Sequence, residues 1–308
     1  MKILIVGAGA VGAVFGANLH QHKADVSFLL RPARKELLDE HGLTVCLPSS
    51  EFHFQPRSFV ASTLQAPFDL IILSNKAYAL DGVINDIKPA VGPNTLVLPL
   101  LNGLRHLDVL DEAFGKERVL GGVARTIATL ETPTRVVVSN FRSTITVGAR
   151  TTEQQTRAEA VWQLLADADI EAHLAGNIMA DMWDKFCRMA AVGAVNCLLD
   201  GPIGAYMRSE AGGEIALQLF HECCACAEEA GFPMSPQAIA GFERILTDPS
   251  SSFTSSMYRD LKAGLPIEGD HLVGDMLQRA KAAGLVHTML RVAYARLQTY
   301  NAQLLAQS

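Results

Sequence analysis

A chain of 308 residues, 49% hydrophobic and 19% charged, is long enough for two ordinary domains with a core in each, and it has no low-complexity tract. Its net charge of −6 and its lack of any long basic run argue against nucleic acid as a partner. The longest apolar runs, such as 96–101 around Pro99, are far too short to cross a bilayer, so no membrane role is expected.

In chain order, β-rich runs at 2–6, 25–30, 43–47, 69–74, 95–98 and 119–124 alternate with helical stretches at 10–22, 32–41, 79–88, 104–114 and 153–167. Such alternation predicts a parallel sheet covered on both faces. Two later strands, 134–138 and 143–147, are joined by polar residues 139–142 and read as an antiparallel addition. From about Gly176 the pattern changes. Segments 177–198, 213–230, 235–246, 254–262, 268–283 and 287–305 carry helical periodicity, with turn signals such as Asp200-Gly201-Pro202 and Gly231-Phe232-Pro233 between them. The expected fold is α/β: an N-terminal Rossmann-type doubly wound sheet over 1–175, and an all-α domain over 176–308 that carries substrate and catalytic groups. The apolar faces of 213–230 and 287–305 suit either core or a homodimer contact.

Lys2 followed by an apolar run has the look of a signal peptide, but Gly7, Gly9 and Gly12 break the run before any cleavage site. Six cysteines in a chain this long form no disulfide framework and read as reduced thiols of a cytoplasmic protein. Cys223 and Cys226 form a C-x-x-C with His221 just before it, yet they fall inside a continuous helix and lack a second ligand pair. Together with Cys224 they read as packing residues, and no metal site is expected.

Gly7-Ala8-Gly9-Ala10-Val11-Gly12 is a G-x-G-x-x-G between an apolar strand and a helix rich in small residues, the context that a dinucleotide site requires. The first glycine permits the turn, the second admits the pyrophosphate, the third lets helix and sheet approach, and the helix N-terminus favours the phosphate charge. Strand two ends at Arg31, nineteen residues beyond Gly12. An acidic residue there suits the ribose hydroxyl of NAD. Arginine suits the 2′-phosphate of NADP(H), and Arg34 and Lys35 add charge nearby.

Further candidates follow. Ser74-Asn75-Lys76-Ala77-Tyr78 and Leu101-Asn102-Gly103 each follow a strand at the edge where open parallel sheets bind ligands. Trp183-Asp184-Lys185-Phe186 sets one lysine in an otherwise apolar helix, and Ser255-Ser256-Met257 precedes Glu268. Each residue also has a plain structural reading. Lys185 is four residues from Asp181, Glu268 suits a helix N-terminus, Lys76 a solvated loop, and Asn102 a turn, while Ser256 competes with Ser255 for helix capping. His271 and Asp275 follow Glu268 on one face as a relay, although Asp275 also pairs naturally with Arg279.

These motifs, in this order and spacing, run essentially end to end through a chain that resembles the ketopantoate reductase (2-dehydropantoate 2-reductase) family. The resemblance implies an NADP(H)-dependent oxidoreductase of pantothenate biosynthesis that reduces a small 2-oxo acid. It implies Lys185 as proton donor to the ketone and Glu268 near the nicotinamide ribose and the reacting centre. Lys76 and Asn102 would lie between cofactor and substrate, Ser256 would bind the carboxylate, and the Ile127 backbone would contact the nucleotide. Between Trp183 and Phe186, Lys185 is expected to be partly desolvated and to release its proton near neutrality.

One stretch departs from the family pattern. Asparagines usually follow the catalytic lysine one and two turns later, whereas here those positions are Met189 and Gly193, with Asn196 three residues farther on as a replacement substrate contact. This face is expected to be more apolar or more open, which weakens selection for a substrate hydroxyl. Two alternatives stand beside the leading reading: a paralogue for a more hydrophobic 2-oxo acid, and an NADPH-binding sensor without turnover. The sensor has no need of the proton donor.

Overall fold

The computed structural model describes residues 1–139 and 143–306. The chain divides into two compact units, one of Met1–Leu101 with His106–Ile178, the other of Asn102–Arg105 with Met179 onward.

In the first unit the chain runs β1 (Lys2–Val6), α1 (Ala10–Gln21), β2 (Asp25–Leu29), α2 (Pro32–His41), β3 (Leu43–Leu47), β4 (Ser50–Phe54), β5 (Ser58–Phe59), β6 (Phe68–Leu73), α3 (Leu80–Ile87) and β7 (Val91–Pro99). It continues through α4 (Arg105–Phe114, all but its first residue), β8 (Gly121–Arg125), β9 (Ala128–Thr132), β10 (Arg135–Val138), β11 (Thr144–Gly148), α5 (Gln155–Asp167) and β12 (Glu171–Leu174). Five parallel strands form one sheet in the order β5-β2-β1-β6-β7. The order reverses at β1, with β2 on one flank and β6 on the other, which creates the crevice where open α/β sheets take ligands. Ile3, Leu4 and Ile5 have no exposed surface, as expected for a central strand covered on both faces.

The expected single sheet is in fact three. β3 joins β4, β10 and β9 in a second sheet, and β8 joins β11 and β12 in a third. The second sheet packs on α1, so that helix is covered from two sides and is apolar through nearly its whole circumference, from Gly12 to Ala17. The expected antiparallel hairpin of 134–138 with 143–147 does not form. β10 pairs with β9 and β3, β11 pairs with β8 and β12, and residues 140–142 of the connection lie outside the described residues. Each strand finds a non-local partner that buries it: Val136, Ile145 and Val147 have no exposed surface.

The second unit holds α6 (Ile178–Leu198, all but its first residue), α7 (Ile203–Tyr206), α8 (Gly212–Glu229), α9 (Pro236–Leu246), α10 (Ser256–Lys262), α11 (Asp275–Ala282) and α12 (Thr288–Leu305). The stretch expected as one helix from 268 to 283 opens with a π-turn, Asp270–Gly274. The apolar face of α8, including Leu219, Phe220, Cys223 and Ala227, is buried where α8 meets α9, α11 and α12. The Glu222 carboxylate on that helix accepts hydrogen bonds from the Met289 and Leu290 backbone N–H groups at 3.0 and 2.9 Å, capping α12 from a neighbouring helix. Burial raises the Cys223 thiol, and the Cys226 thiol stands at about 11 for the same reason. No helix among the described residues is long and apolar enough to cross a membrane.

Candidate active site

The glycine loop follows β1 directly. Gly7 has φ +90°, a conformation open mainly to glycine, and its N–H donates to the Leu29 carbonyl at 3.0 Å. A Cβ on Gly12 would fall on the Gly7 carbonyl oxygen and the Ser74 hydroxyl. Ser74, at the end of β6, donates to the Val6 carbonyl at 2.8 Å and so ties the two strand ends together beneath the loop. Gly9 is the N-cap of α1 and offers no side chain to the N–H groups of the first turn, Ala10, Val11 and Gly12. A turn held this close to a helix start without a side-chain cap fits a dinucleotide pyrophosphate.

Arg31 lies just past the end of β2, exposed, as the N-cap of α2 with Pro32 behind it. Arg34, one turn on, is half-buried and donates to the Ala8 carbonyl at 2.9 Å, which clamps α2 to the glycine loop. Burial lowers its pKa. Lys35 pairs with Asp39 at 2.5 Å. Lys76 is half-buried at the N-cap of the short 3₁₀ turn Ala77–Ala79. Ile127 sits in the connection between β8 and β9 with an exposed side chain, and its carbonyl accepts from the Ser139 N–H at 2.9 Å.

In the helical unit, Lys185 is half-buried on α6 between Trp183 and Phe186, which are 3% and 1% exposed. Their rings lie 5.6 Å apart. The Arg279 guanidinium stands over the Trp183 ring at 5.4 Å and is itself held by Asp275 at 3.0 Å, so α11 braces this part of α6. Asp184 is engaged with Arg188 through two 2.8 Å bonds. Asp275 therefore anchors Arg279, as its spacing suggested.

Asn102 and Glu268 come together in this unit through His271. Gly103 has φ +81° and lies against the His271 ring, since a Cβ there would be 3.1 Å from Cδ2. The His271 side chain is hydrogen-bonded to the Asn102 backbone. Glu268 is 7% exposed and opens the π-turn, with its carbonyl accepting from the Leu272 N–H at 3.0 Å. Burial lowers the His271 pKa, opposed by Glu268, Asp275 and the Asn102 backbone.

One expectation needs correction. Asn196 was expected at the substrate, but it has no exposed surface. Its amide donates to the Gly201 carbonyl at 2.9 Å and accepts from the Ser255 N–H at 2.8 Å. It therefore holds the start of α10 in place instead of facing a ligand. Of the two expectations for the face at Gly193, more apolar or more open, the structure has the first: the Met257 methyl fills the space, 2.7 Å from where a Cβ would stand. Of the two competing serines, buried Ser255 caps α10 through the Tyr258 N–H at 3.1 Å, and Ser256 is left exposed at its first turn.

Two family models cover most of the chain: "Ketopantoate reductase PanE/ApbA" over residues 3–152 and "Ketopantoate reductase PanE/ApbA C terminal" over 177–301. The chain belongs to the ketopantoate reductase family. Its members are NAD(P)-dependent oxidoreductases, and this chain is one. It is 34% identical over 303 residues to an oxidoreductase, YkpB, of Bacillus subtilis, with 98% of this chain and all of that one covered. It is 29% identical over 262 residues to a 2-dehydropantoate 2-reductase of Streptococcus pyogenes, with 85% of each covered. Among solved structures, D-mandelate dehydrogenase with NADH and anilino(oxo)acetate superposes with a TM-score of 0.90 at 25% identity, over 99% of both chains.

Proposed function

We propose that this protein reduces the ketone of a 2-oxo acid to the 2-hydroxy acid with NADPH, nominally 2-dehydropantoate (ketopantoate) to pantoate, a step of pantothenate biosynthesis. The observation that carries the reading is Lys185: one lysine, half-buried on α6 and flanked in sequence by the buried Trp183 and Phe186, on a helix braced by Arg279. NADPH, when bound, supplies the hydride for the carbonyl carbon. As charge develops on the ketone oxygen, Lys185 stabilises it and gives up a proton to it. Glu268 and Asn102, joined through His271, belong to the same site in this reading, and Ser256 faces the substrate carboxylate. Gly7–Gly12 hold the pyrophosphate with Lys76 beside it, the Ile127 backbone contributes to the nucleotide site, and Arg31 takes the 2′-phosphate. Arg34 supports that role by holding α2 against the loop. Asn196 plays no direct part in this account.

A second reading, a more hydrophobic 2-oxo acid, is favoured by the Met257 methyl seated on Gly193 and by Met189 one turn from Lys185. The likeness to D-mandelate dehydrogenase, solved with NADH and anilino(oxo)acetate, points the same way. Oxidation of NADPH against a panel of 2-oxo acids, including ketopantoate and phenylglyoxylate, decides between the two. The leading reading expects the highest kcat/KM with ketopantoate. A preference for aromatic or branched acids overturns it in favour of the second, and tight NADPH binding without turnover on any acid sinks both.

A further inference from the structure

We infer that Asn196 is a positioning residue for the substrate: without touching it, Asn196 fixes the place of Ser256, the serine of the proposed carboxylate contact, on the helix that carries Lys185. The inference rests on the proposed roles of Ser256 and Lys185.

Asn196 has no exposed surface, so its part cannot be a contact with a ligand. A buried amide is unfavourable unless its groups are paired, and here each end is committed to backbone. The amide nitrogen donates to the Gly201 carbonyl at 2.9 Å, and the oxygen accepts from the Ser255 N–H at 2.8 Å. Turning the amide over would set oxygen against oxygen and N–H against N–H, so one orientation alone serves both partners. The Asn196 main-chain carbonyl also accepts from the Gly201 N–H, at 3.2 Å. A single residue thus closes the turn after α6 and grips the chain where α10 begins.

Ser255, the residue gripped, is the N-cap of α10 and accepts from the Tyr258 N–H. On the other side of Ser256, buried Met257 sets its methyl against Gly193 of α6. Ser256 stands exposed between the two, attached to α6 through both of its neighbours. The attachments differ in kind. A thioether on a glycine can slide, whereas a hydrogen bond between buried groups has a set length and direction. Asn196 is therefore the contact that fixes where Ser256 stands. Backbone bonds from the Gly204 N–H to the Ser251 carbonyl, 2.7 Å, and from the Ile203 N–H to the Phe253 carbonyl, 3.2 Å, hold the preceding segment to α7. Loss of Asn196 accordingly loosens the start of α10 without releasing the segment before it.

The test compares wild type, Asn196→Ala, Asn196→Asp, Ser256→Ala and the double variant Asn196→Ala/Ser256→Ala. Each is measured by steady-state kinetics on ketopantoate and phenylglyoxylate, by NADPH titration and by melting temperature. Asn196→Ala is expected to raise KM for the 2-oxo acid about tenfold, as for a lost hydrogen bond to a charged group, with kcat within about threefold and NADPH affinity within about twofold. Asn196→Asp keeps an oxygen for the Ser255 N–H but buries a carboxyl group. Its melting temperature falls while its KM stays within about threefold of wild type, a separation that a purely structural role would not produce. In the Ser256→Ala background the contact to be positioned is gone, and adding Asn196→Ala is expected to change KM less than about twofold. A full tenfold effect in that background overturns the inference, as does an unchanged KM in Asn196→Ala alone or a KM in Asn196→Asp that rises with its loss of stability. If Asn196→Ala does not fold, Asn196→Leu, of similar volume and without hydrogen-bonding groups, takes its place in the cycle. Unchanged KM in Ser256→Ala, or a wild type that reduces neither acid, refutes the proposed function on which the inference stands and the inference with it. Both of those outcomes are visible without any variant of Asn196.

Discussion

Gly12 in the nucleotide unit and Gly193 in the helical unit both leave room for a neighbour, and the two neighbours differ in kind. Beneath Gly12 stand the Gly7 carbonyl and the Ser74 hydroxyl, the latter bonded to backbone; beside Gly193 stands the methyl end of Met257. Backbone cannot move aside, whereas a thioether can. In the proposed reading, the nucleotide unit thus builds its site from main-chain geometry, which tolerates few residues at a position. The same reading has the helical unit build its site from side chains on α6, the π-turn and α10.

The largest effect should come from a side chain in the helical unit. Lys185→Ala is expected to lower turnover by about 10²–10⁴-fold, the usual range for a positioned proton donor, with NADPH affinity within about twofold of wild type. Steady-state kinetics and dinucleotide titration read the two effects separately. Retained turnover removes Lys185 from the mechanism, and a collapse of NADPH affinity would erase the separation between the two regions.

In the proposed reading, Arg31 is a residue of the nucleotide unit that binds through its side chain. Arg31→Asp removes a charge-assisted contact to the 2′-phosphate and is expected to weaken NADPH roughly ten- to hundredfold while leaving NADH much less affected. An unchanged ratio of the two dissociation constants would refute the assignment. The glycine pair tests the comparison directly. Gly12→Ala is expected to destabilise the fold by about 1–3 kcal/mol and abolish dinucleotide binding, because the new Cβ meets fixed atoms. Gly193→Ala is expected to cost under about 1 kcal/mol as Met257 rotates away. Urea unfolding of both variants supplies the numbers, and equal costs would collapse the distinction.

The same difference decides what the sequence revealed. β1, α2 and β3 are legible to the residue because burial and capping are local: four apolar residues after Lys2, Pro32 at the first turn, Gly42 after His41. The glycine loop is legible because φ +90° at Gly7 and the close approach at Gly12 leave so few residue choices. β4 and β9 escaped notice because their residues are mostly exposed and their alternation is short, two apolar positions each in Ser50–Phe54 and Ala128–Thr132. The pairing of β10 with β3 rather than with β11 is a contact across some ninety positions, for which spacing gives no signal. In the helical unit, the filling of Gly193 by Met257 and the engagement of Asn196 by Gly201 and Ser255 are likewise set by partners that no local pattern names.

The smallest expected effect concerns His271, the point at which a side chain of the helical unit rests on backbone, at Asn102 and Gly103. Burial lowers its folded pKa below the usual 6.5, with Arg105 acting in the same direction and Glu268, Asp275 and the Asn102 backbone opposing. The unfolded chain therefore takes up a proton near pH 6.5 while the folded protein resists until lower pH. The unfolded state binds more protons across that window, so this residue's contribution makes stability fall as pH drops through it and adds no further slope below the folded pKa. His271→Gln keeps a hydrogen-bonding group near Asn102 without titrating. Melting temperatures at pH 7.5 and 5.5 should fall further for wild type than for the variant, the difference cancelling every group common to both. Equal falls would mean that His271 carries its proton as readily folded as unfolded, and that its contact with the Asn102 backbone does not depend on the neutral ring.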